Sequence, residues 1–245
     1  MSLKSIIVPC FDEAESLPRL LSDFEAITEG QPVDWELVLV DNGSTDATPQ
    51  VLARELKLPG RAFARVVTVP PPNVGYGHGI MTGLEAANGD YLAWTHADGQ
   101  TPPADVLRAF ETLLSAPAPK RTFVKGRRRA RQLKDVLFTL GMRATSAVVL
   151  GEPLHDFDGQ PTAFHRDLLT LAAAPPVDLS IDLYFSWVAK THGFDVRTID
   201  VSRAEREEGE AKRARDWRSK ARDLARTVRF MKAVRSGADY RAFRA

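Results

Sequence analysis

Four short apolar runs, Ser5 to Val8, Trp35 to Val40, Ala64 to Val69 and Asp90 to Thr95, alternate with stretches whose apolar residues recur at helical spacing. No other feature restricts the fold as much. The first run is continuous and closed by Pro9, as expected of a strand buried on both faces. After it, Leu17, Leu20, Leu21, Phe24 and Ile27 follow a helical period. The second run ends in Asp41-Asn42-Gly43-Ser44-Thr45-Asp46, where Ser44 or Thr45 is placed to cap a helix reaching Glu55. A loop from Pro70 to Gly75 leads into a helix through Ala87, and another helix is expected from Pro103 to Leu114. Strands alternating with helices predict βαβ units, a largely parallel sheet and an α/β fold.

The strand ends carry the polar chemistry. Asp12 and Glu13 follow the first strand, Asp41 ends the second and Asp98 follows the fourth. Ligands of open α/β sheets bind at the carboxyl ends of strands. Carboxylates facing one crevice repel one another unless they hold a metal ion or the donors of a nucleotide. Each Asp alone also suits a helix cap or a turn, so the argument rests on their repetition. After the fourth strand, His96, Asp98 and Gln100 occupy alternate positions, which sends them to one side if the chain stays extended. The segment Asn73 to Gly79 has Gly-x-Gly spacing but lacks the acidic residue of a dinucleotide fingerprint. Its amides could still attract a phosphate at the start of a helix.

Beyond Leu114 the pattern is less regular. Ala116 to Pro119 breaks the helix, Thr122 to Lys125 suits a short strand and Gln132 to Val149 a helix. Gly151 to Pro161 reads as a loop long enough to carry a site. A helix over Ile181 to Thr191, a strand over Val196 to Val201 and a helical tail from Asp216 to Val234 complete the chain.

Composition closes off several functions. With 44% hydrophobic and 27% charged residues, the 245-residue chain can bury a sizeable core. A net charge of +1 gives no general case for nucleic acid. The charge is clustered, however: Lys120 to Lys134 contains eight Lys or Arg and no acid, and from Arg203 onward fourteen Lys or Arg face seven Asp or Glu. Such clusters suit a phosphate or an anionic membrane surface. Cys10 is the only cysteine, which fits a reducing cytosol, and its simplest role is that of a small buried residue. No signal-peptide shape opens the sequence, and no apolar run approaches the ~18–20 residues of a membrane span, so any membrane contact is expected to be peripheral. His155, His165 and His192 fit no zinc spacing.

Together these segments resemble family 2 glycosyltransferases of the GT-A fold. Ile7 to Glu15 is similar to their opening strand and acidic turn, and Val40 to Asp46 to their "VDDGSTD" segment. Asn73, Gly75, Gly79, Gly83, Ala87, Gly89 and Asp90 match the glycine-punctuated helix leading to the "DAD" strand end. Thr95 to Pro103 resembles the "DADxQHPP" turn of the polyprenyl-phosphate mannosyltransferase branch. Asp156 to Pro161 with Phe164 and Arg166 resembles its acceptor-side loop, and Arg206 to Lys212 its "RxxGxSK" element. The order is kept over residues 5 to 212.

The resemblance implies a three-layer αβα domain over 1–212, followed by a basic helical extension over 213–245 packed on it or on a membrane. It implies an inverting transfer from a GDP- or UDP-sugar to a polyprenyl-phosphate or cell-surface glycan acceptor, on the inner face of the cell membrane. Transfer to a soluble saccharide, or sugar-nucleotide binding without turnover, are the alternatives. Pro9, Asp12, Glu13, Asp41, Asn42, Gly75 and Gly79 would line the donor site, while His96, Asp98 and Gln100 would face its diphosphate and a divalent cation, Mn²⁺ or Mg²⁺. Arg127, Arg206 and Lys212 would hold phosphates, and Asp156 or Asp182 would serve as general base. Asn42 replaces the second Asp of "VDD", Ala211 replaces a Ser, and His96 replaces the first Asp of "DAD". An imidazole ligates Mn²⁺ better than Mg²⁺, so the last change bears on metal dependence.

Overall fold

The computed structural model describes residues 3–28, 34–128, 145–152, 154, 159–201 and 217–236. Seven strands, β1 (Lys4–Cys10), β2 (Trp35–Asn42), β3 (Ala64–Val69), β4 (Tyr91–Trp94), β5 (Thr122–Arg128), β6 (Thr162–His165) and β7 (Asp195–Val201), form one sheet in the order β3-β2-β1-β4-β6-β5-β7. All neighbours are parallel except β6, which runs antiparallel to both β4 and β5. The helices are α1 (Leu17–Ala26), α2 (Thr48–Glu55), α3 (Tyr76–Ala86), α4 (Pro103–Leu114), α5 (Asp167–Leu171), α6 (Ile181–Thr191) and α7 (Trp217–Ser236).

Successive strand residues point to opposite faces, and the apolar runs are divided accordingly. Ile6, Val8, Cys10, Leu37 and Leu39 pack with α1, α2 and α4, whereas Ile7, Val38, Val40, Leu92 and Trp94 pack with α3, α6 and α7. Both faces are therefore covered, which explains why the strands read as continuous apolar runs. The result is the expected three-layer αβα sandwich.

Two glycines set how closely α3 approaches the sheet. A Cβ on Gly83 would meet Val40 Cγ2 at 2.9 Å and Ile7 Cγ2 nearer still; one on Gly79 would meet Asn42 Nδ2 at 2.8 Å. Pro9 fits inside a central strand for a specific reason. Ile7 directs its carbonyl to Thr95 N at 3.0 Å, so Pro9, two residues on, faces the same side beyond the last β1–β4 pair, Ile7 with Trp94. No ladder donor is needed there.

The path from β1 to β2 and β3 runs to one side of β1, and β4 lies on the other. The reversal opens a crevice at the carboxyl ends of β1 and β4, where ligands of open α/β sheets bind.

Some expectations need correction. Neither Ser44 nor Thr45 caps α2. The Ser44 hydroxyl accepts the Asp12 amide at 3.2 Å, and the Thr45 hydroxyl turns to Asp12 Oδ1 at 3.3 Å. The helix instead begins at Thr48, whose amide donates to Asp46 Oδ1 at 2.8 Å. The strand at Thr122 continues to Arg128, and β6 was not expected at all. The expected helix over 132–149 lies largely outside the described residues; its end, 145–150, is helical. In the tail, Phe230, Met231 and Val234 are buried in the core shared with α3 and α6, while Arg235 Nη1 donates to the carbonyls of Val148 and Val149. That part of the extension packs on the domain rather than presenting an apolar face to a membrane. Among the described residues, no helix is long and apolar enough to cross one.

Candidate functional site

The crevice is built by clasping two loops together. Asp12 adopts φ = 53°, a left-handed conformation that Asp tolerates better than most residues. That bend aims its Oδ1 at the amides of Thr45 (2.8 Å) and Asp46 (3.3 Å), and the Glu13 amide donates to Thr48 Oγ1 at 2.8 Å. Asp41, buried at the end of β2, accepts the Ser44 amide at 3.1 Å. Glu13 accepts the Ser16 hydroxyl at 2.9 Å. Asp12, Glu13 and Asp41 thus sit together at the adjacent ends of β1 and β2. Below them, burial and then the charges of Glu13 and Asp41 push the Cys10 thiol far above its ordinary range, so it stays an inert core residue.

On the other wall, β4 ends in a turn. Gln100 N donates to Asp98 Oδ1 at 3.1 Å, and Gly99 takes φ = 69°. The chain is therefore not extended here, and the simple alternation argument fails. His96 and Asp98 nonetheless remain half-buried at the crevice, with Gln100 beside them. The His96 imidazole stacks on Tyr76, the first residue of α3, with ring centroids 5.4 Å apart and planes 27° apart. The Tyr76 hydroxyl is buried without a hydrogen-bond partner among the described residues. Burial, then the charges of Asp182 and Asp98, raise it well above the usual tyrosine range, so it stays a neutral hydroxyl.

The glycine-rich start of α3 does not read as an open phosphate cradle. A Cβ on Gly75 would collide with the Val177 carbonyl, and one on Gly77 would meet Asp178 O at 2.8 Å and Pro176 O nearer still. The His78 amide donates to Val177 O at 3.1 Å. Backbone at 176–178 already packs against Gly75 and Gly77, and Gly79 is closely approached by Asn42 and Pro9. Asn42 joins the two walls, donating from Nδ2 to Gly75 O at 2.9 Å while its Oδ1 is buried without a partner among the described residues.

One level below the crevice lies a buried charge pair that the sequence reading did not foresee. Trp94 and Lys125 both pair with Thr162 across β4, β6 and β5. The Lys125 side chain is 2% exposed and donates to Thr162 Oγ1 at 2.7 Å and to Asp182 Oδ1 at 2.8 Å. Asp182 Oδ1 also accepts Gln160 Nε2 at 2.9 Å and Trp94 Nε1 at 3.1 Å. With three donors on one oxygen, one of them a cation, Asp182 is placed as an anchor between α6 and the sheet, not as a general base exposed to an acceptor. Arg127 is likewise engaged elsewhere: its guanidinium holds Asp200 Oδ1 at 2.8 Å and 2.7 Å, joining β5 to β7. Asp156, Arg206 and Lys212 lie outside the described residues.

Several buried polar atoms without a partner among the described residues gather at this end of the sheet: Asn42 Oδ1, Tyr76 Oη, His78 Nδ1, Thr95 Oγ1 and Gln160 Oε1. Buried polar groups are ordinarily satisfied, so such a concentration marks a place prepared for polar ligand atoms or water. No three His, Cys, Asp or Glu side chains among the described residues gather closely enough to hold a metal ion unaided. His96 and Asp98 carry side-chain types that ligate divalent cations, and such ions commonly take their remaining ligands from nucleotide phosphates.

Likeness to known proteins bears on the family and the fold. An undecaprenyl-phosphate 4-deoxy-4-formamido-L-arabinose transferase of Photorhabdus laumondii is 28% identical over 211 residues, 85% of this chain and 62% of the relative. The protein of that name from Pseudomonas fluorescens is 29% identical over 211 residues, 85% of this chain and 59% of its own. The chain thus spans about three fifths of the length of these relatives. Glucosyl-3-phosphoglycerate synthase from Mycobacterium tuberculosis, solved with Mn²⁺, UDP and phosphoglyceric acid, superposes with a TM-score of 0.68 at 20% identity, over 97% of this chain and 79% of that one. That likeness extends to the fold. Residues 5–170 match the family model described as glycosyl transferase family 2, which covers more than half the sequence. With its acidic strand ends brought together at the switch of a GT-A sheet, the chain belongs to glycosyltransferase family 2.

Proposed function

We propose that the protein is an inverting transferase that moves a sugar from a nucleotide-diphospho-sugar to a polyprenyl-phosphate acceptor. The observation that carries this reading is the meeting of Asp12, Glu13, Asp41 and Asp98 at the carboxyl ends of three adjacent strands, β2, β1 and β4. The names of the relatives from Photorhabdus and Pseudomonas supply the acceptor class. UDP in the mycobacterial synthase makes a uridine donor the first to test, with GDP-sugars second.

In this reading the nucleoside lies between the loops that Asp12 clasps, and the diphosphate lies over the turn of Asp98 and Gln100. A divalent cation held by Asp98 and His96 would neutralise charge on the departing diphosphate. The residues of the chain bind, orient and exclude water; Tyr76 and His96 close the wall on the side of α3. A phosphate acceptor is already ionised and attacks without a strong base. This agrees with Asp182 being held by Lys125, and it leaves Asp156 as the base candidate for a hydroxyl acceptor. Membrane contact would be peripheral and electrostatic, through Arg229 and Lys232 on the exposed side of α7.

Titration of UDP, GDP and their sugar conjugates, with and without Mn²⁺, tests the donor site in the wild type and in Asp98→Ala. The variant should melt cooperatively and lose donor binding or turnover. Unchanged donor kinetics in Asp98→Ala would remove the diphosphate from this turn. A second reading, sugar-nucleotide binding without turnover, is motivated by His96 standing where the family has Asp. Tight binding with no transfer to polyprenyl phosphate or any other acceptor would favour it.

A further inference from the structure

We propose that Gln160 selects the sugar being transferred, accepting a hydrogen bond from one sugar hydroxyl through a side-chain oxygen that Asp182 fixes in place. The inference rests on the transferase reading above and names the residue that would give it sugar specificity.

The orientation of the amide follows from its partner. A carboxylate accepts hydrogen bonds and donates none, so the group facing Asp182 must be the Gln160 nitrogen. It lies 2.9 Å from Asp182 Oδ1, and Asp182 is in turn held by Lys125 Nζ at 2.8 Å and by Trp94 Nε1 at 3.1 Å. With the nitrogen committed, the amide cannot flip without leaving a donor unpaired and facing the acceptor oxygen toward a carboxylate. The Gln160 oxygen is therefore fixed on the opposite side, where it is buried and has no partner among the described residues. Gln160 as a whole is 4% exposed.

Its position follows from its partners. Gln160 stands just before β6, and the Asp182 oxygen that accepts its Nε2 also accepts the indole nitrogen of Trp94, the last residue of β4. The orphaned acceptor thus stands beside the crevice at the end of β4, on the side away from the Asp12 clasp. The buried, partnerless hydroxyls of Thr95 and Tyr76 belong to the same end of the sheet, and the charges of Asp182 and Asp98 both act on Tyr76. Together they offer one fixed acceptor and two hydroxyls able to donate or accept.

That set selects the chemistry of its ligand. An ionised phosphate has no proton to give an amide oxygen, and an apolar chain has none either. A sugar ring presents several hydroxyl donors, and a site built to bond a hydroxyl rejects the analogue that lacks it. A hydrogen bond between neutral partners corresponds to roughly ten-fold in affinity.

Calorimetry on the full chain with Mn²⁺ tests this, using UDP, GDP, UDP-glucose and GDP-mannose, then the monodeoxy derivatives of whichever sugar nucleotide binds. One monodeoxy derivative should bind roughly ten-fold more weakly than its parent. Gln160→Met should bind the parent as weakly as the wild type binds that derivative, while both proteins bind the bare nucleoside diphosphate equally. Parent and every monodeoxy derivative binding alike in the wild type would overturn the proposal, and that arm needs no variant to fold. Full discrimination retained in Gln160→Met would overturn it as well. Nucleoside diphosphate binding without any effect of deoxygenation leaves the transferase reading standing and removes only this inference. Failure of the wild type to bind any of the nucleotides refutes both.

Discussion

Tyr76 and His96 form a stacked pair that joins the first turn of α3 to the end of β4, with ring centroids 5.4 Å apart. The contact holds His96 at the crevice wall by ring packing, in the place where the family carries a carboxylate. Its partner ends in a buried hydroxyl with no hydrogen bond among the described residues. Deleting such a group relieves a desolvated, unsatisfied atom while keeping the ring and its stack. Tyr76→Phe should therefore melt at the wild-type temperature or above it. If Tyr76 also touches the donor, the same variant should bind a UDP-sugar several-fold more weakly. A fall of several degrees in the melting temperature would show that the hydroxyl has a structural partner.

A second prediction concerns the charges beneath this pair. Lys125 and Asp182 are 2% and 6% exposed and lie 2.8 Å apart. Removing one partner of a buried pair strands the other, at a typical cost of about 3–5 kcal/mol, whereas replacing both with apolar side chains is often nearly neutral. Lys125→Met alone should destabilise on that scale. Lys125→Met with Asp182→Leu should recover much of the loss, although Trp94 and Gln160 would still lack their acceptor. Urea denaturation of the two singles and the double gives the coupling, and strictly additive losses would deny that the pair acts as a unit.

The parts of this molecule that were legible beforehand are those with a short-range signal. Ile6 to Val8 and Leu37 to Val40 read as strands buried on both faces because every residue is apolar, and the acidic residues at their ends announced the crevice. What stayed hidden depends on contacts distant in sequence. Thr162 to His165 is four residues long and antiparallel, with no period to reveal it. Lys125 reads as one more member of a basic cluster suited to a phosphate or an anionic surface, and its burial depends on Asp182, 57 residues away. Gly75 and Gly77 resembled a phosphate loop until the backbone at Pro176 to Asp178 was found against them. The tail from Asp216 to Val234 reads as helical, but nothing local in it says whether protein or lipid covers Met231.

Gly83 gives a case in which two effects oppose each other. Alanine is favoured over glycine in a helix by about 1 kcal/mol. Here the added methyl group would meet Val40 Cγ2 at 2.9 Å and Ile7 Cγ2 more closely, both in the packed core. Overpacking of that kind costs about 1–3 kcal/mol. Gly83→Ala should therefore lower stability despite the better propensity, and a rise in melting temperature would mean that α3 can shift away from β1 and β2.

Near the start of β2, at the end of the strands away from the crevice, Glu36 carries a charge whose stabilisation depends on pH. It accepts the Ser5 hydroxyl at 2.7 Å, Arg65 Nε at 2.9 Å, and the Asn88 backbone and side-chain nitrogens at 2.6 Å and 3.0 Å. Burial alone would push this carboxyl up, but the hydrogen bonds from Arg65, Asn88 and Ser5 together hold it below its ordinary value of 4.5. A lowered carboxyl contributes its full stabilisation above the unfolded value and loses it as the pH falls through the folded one. Melting temperature should drop on acidification below about pH 4.5, and Glu36→Gln should flatten that part of the curve while lowering stability at neutral pH. An identical acid limb in the variant would assign the loss to other carboxyls.

The C-terminal helix separates packing from membrane contact. Phe230, Met231, Ala233 and Val234 are buried, whereas Arg229 and Lys232 are exposed on the same turns. Deleting the helix would remove core side chains, so lost vesicle binding after truncation could not be told from lost folding. Charge reversal avoids this. Arg229→Glu with Lys232→Glu leaves the buried side untouched and should keep the melting temperature within a degree or two. On vesicles containing anionic lipid, each basic residue near the surface contributes about 1 kcal/mol. Reversal at both positions should therefore cut co-sedimentation by more than ten-fold at low salt, and added salt should weaken wild-type binding in the same way. Sedimentation unaffected by both changes would show that these exposed cations do not meet the bilayer and that α7 serves the domain core alone.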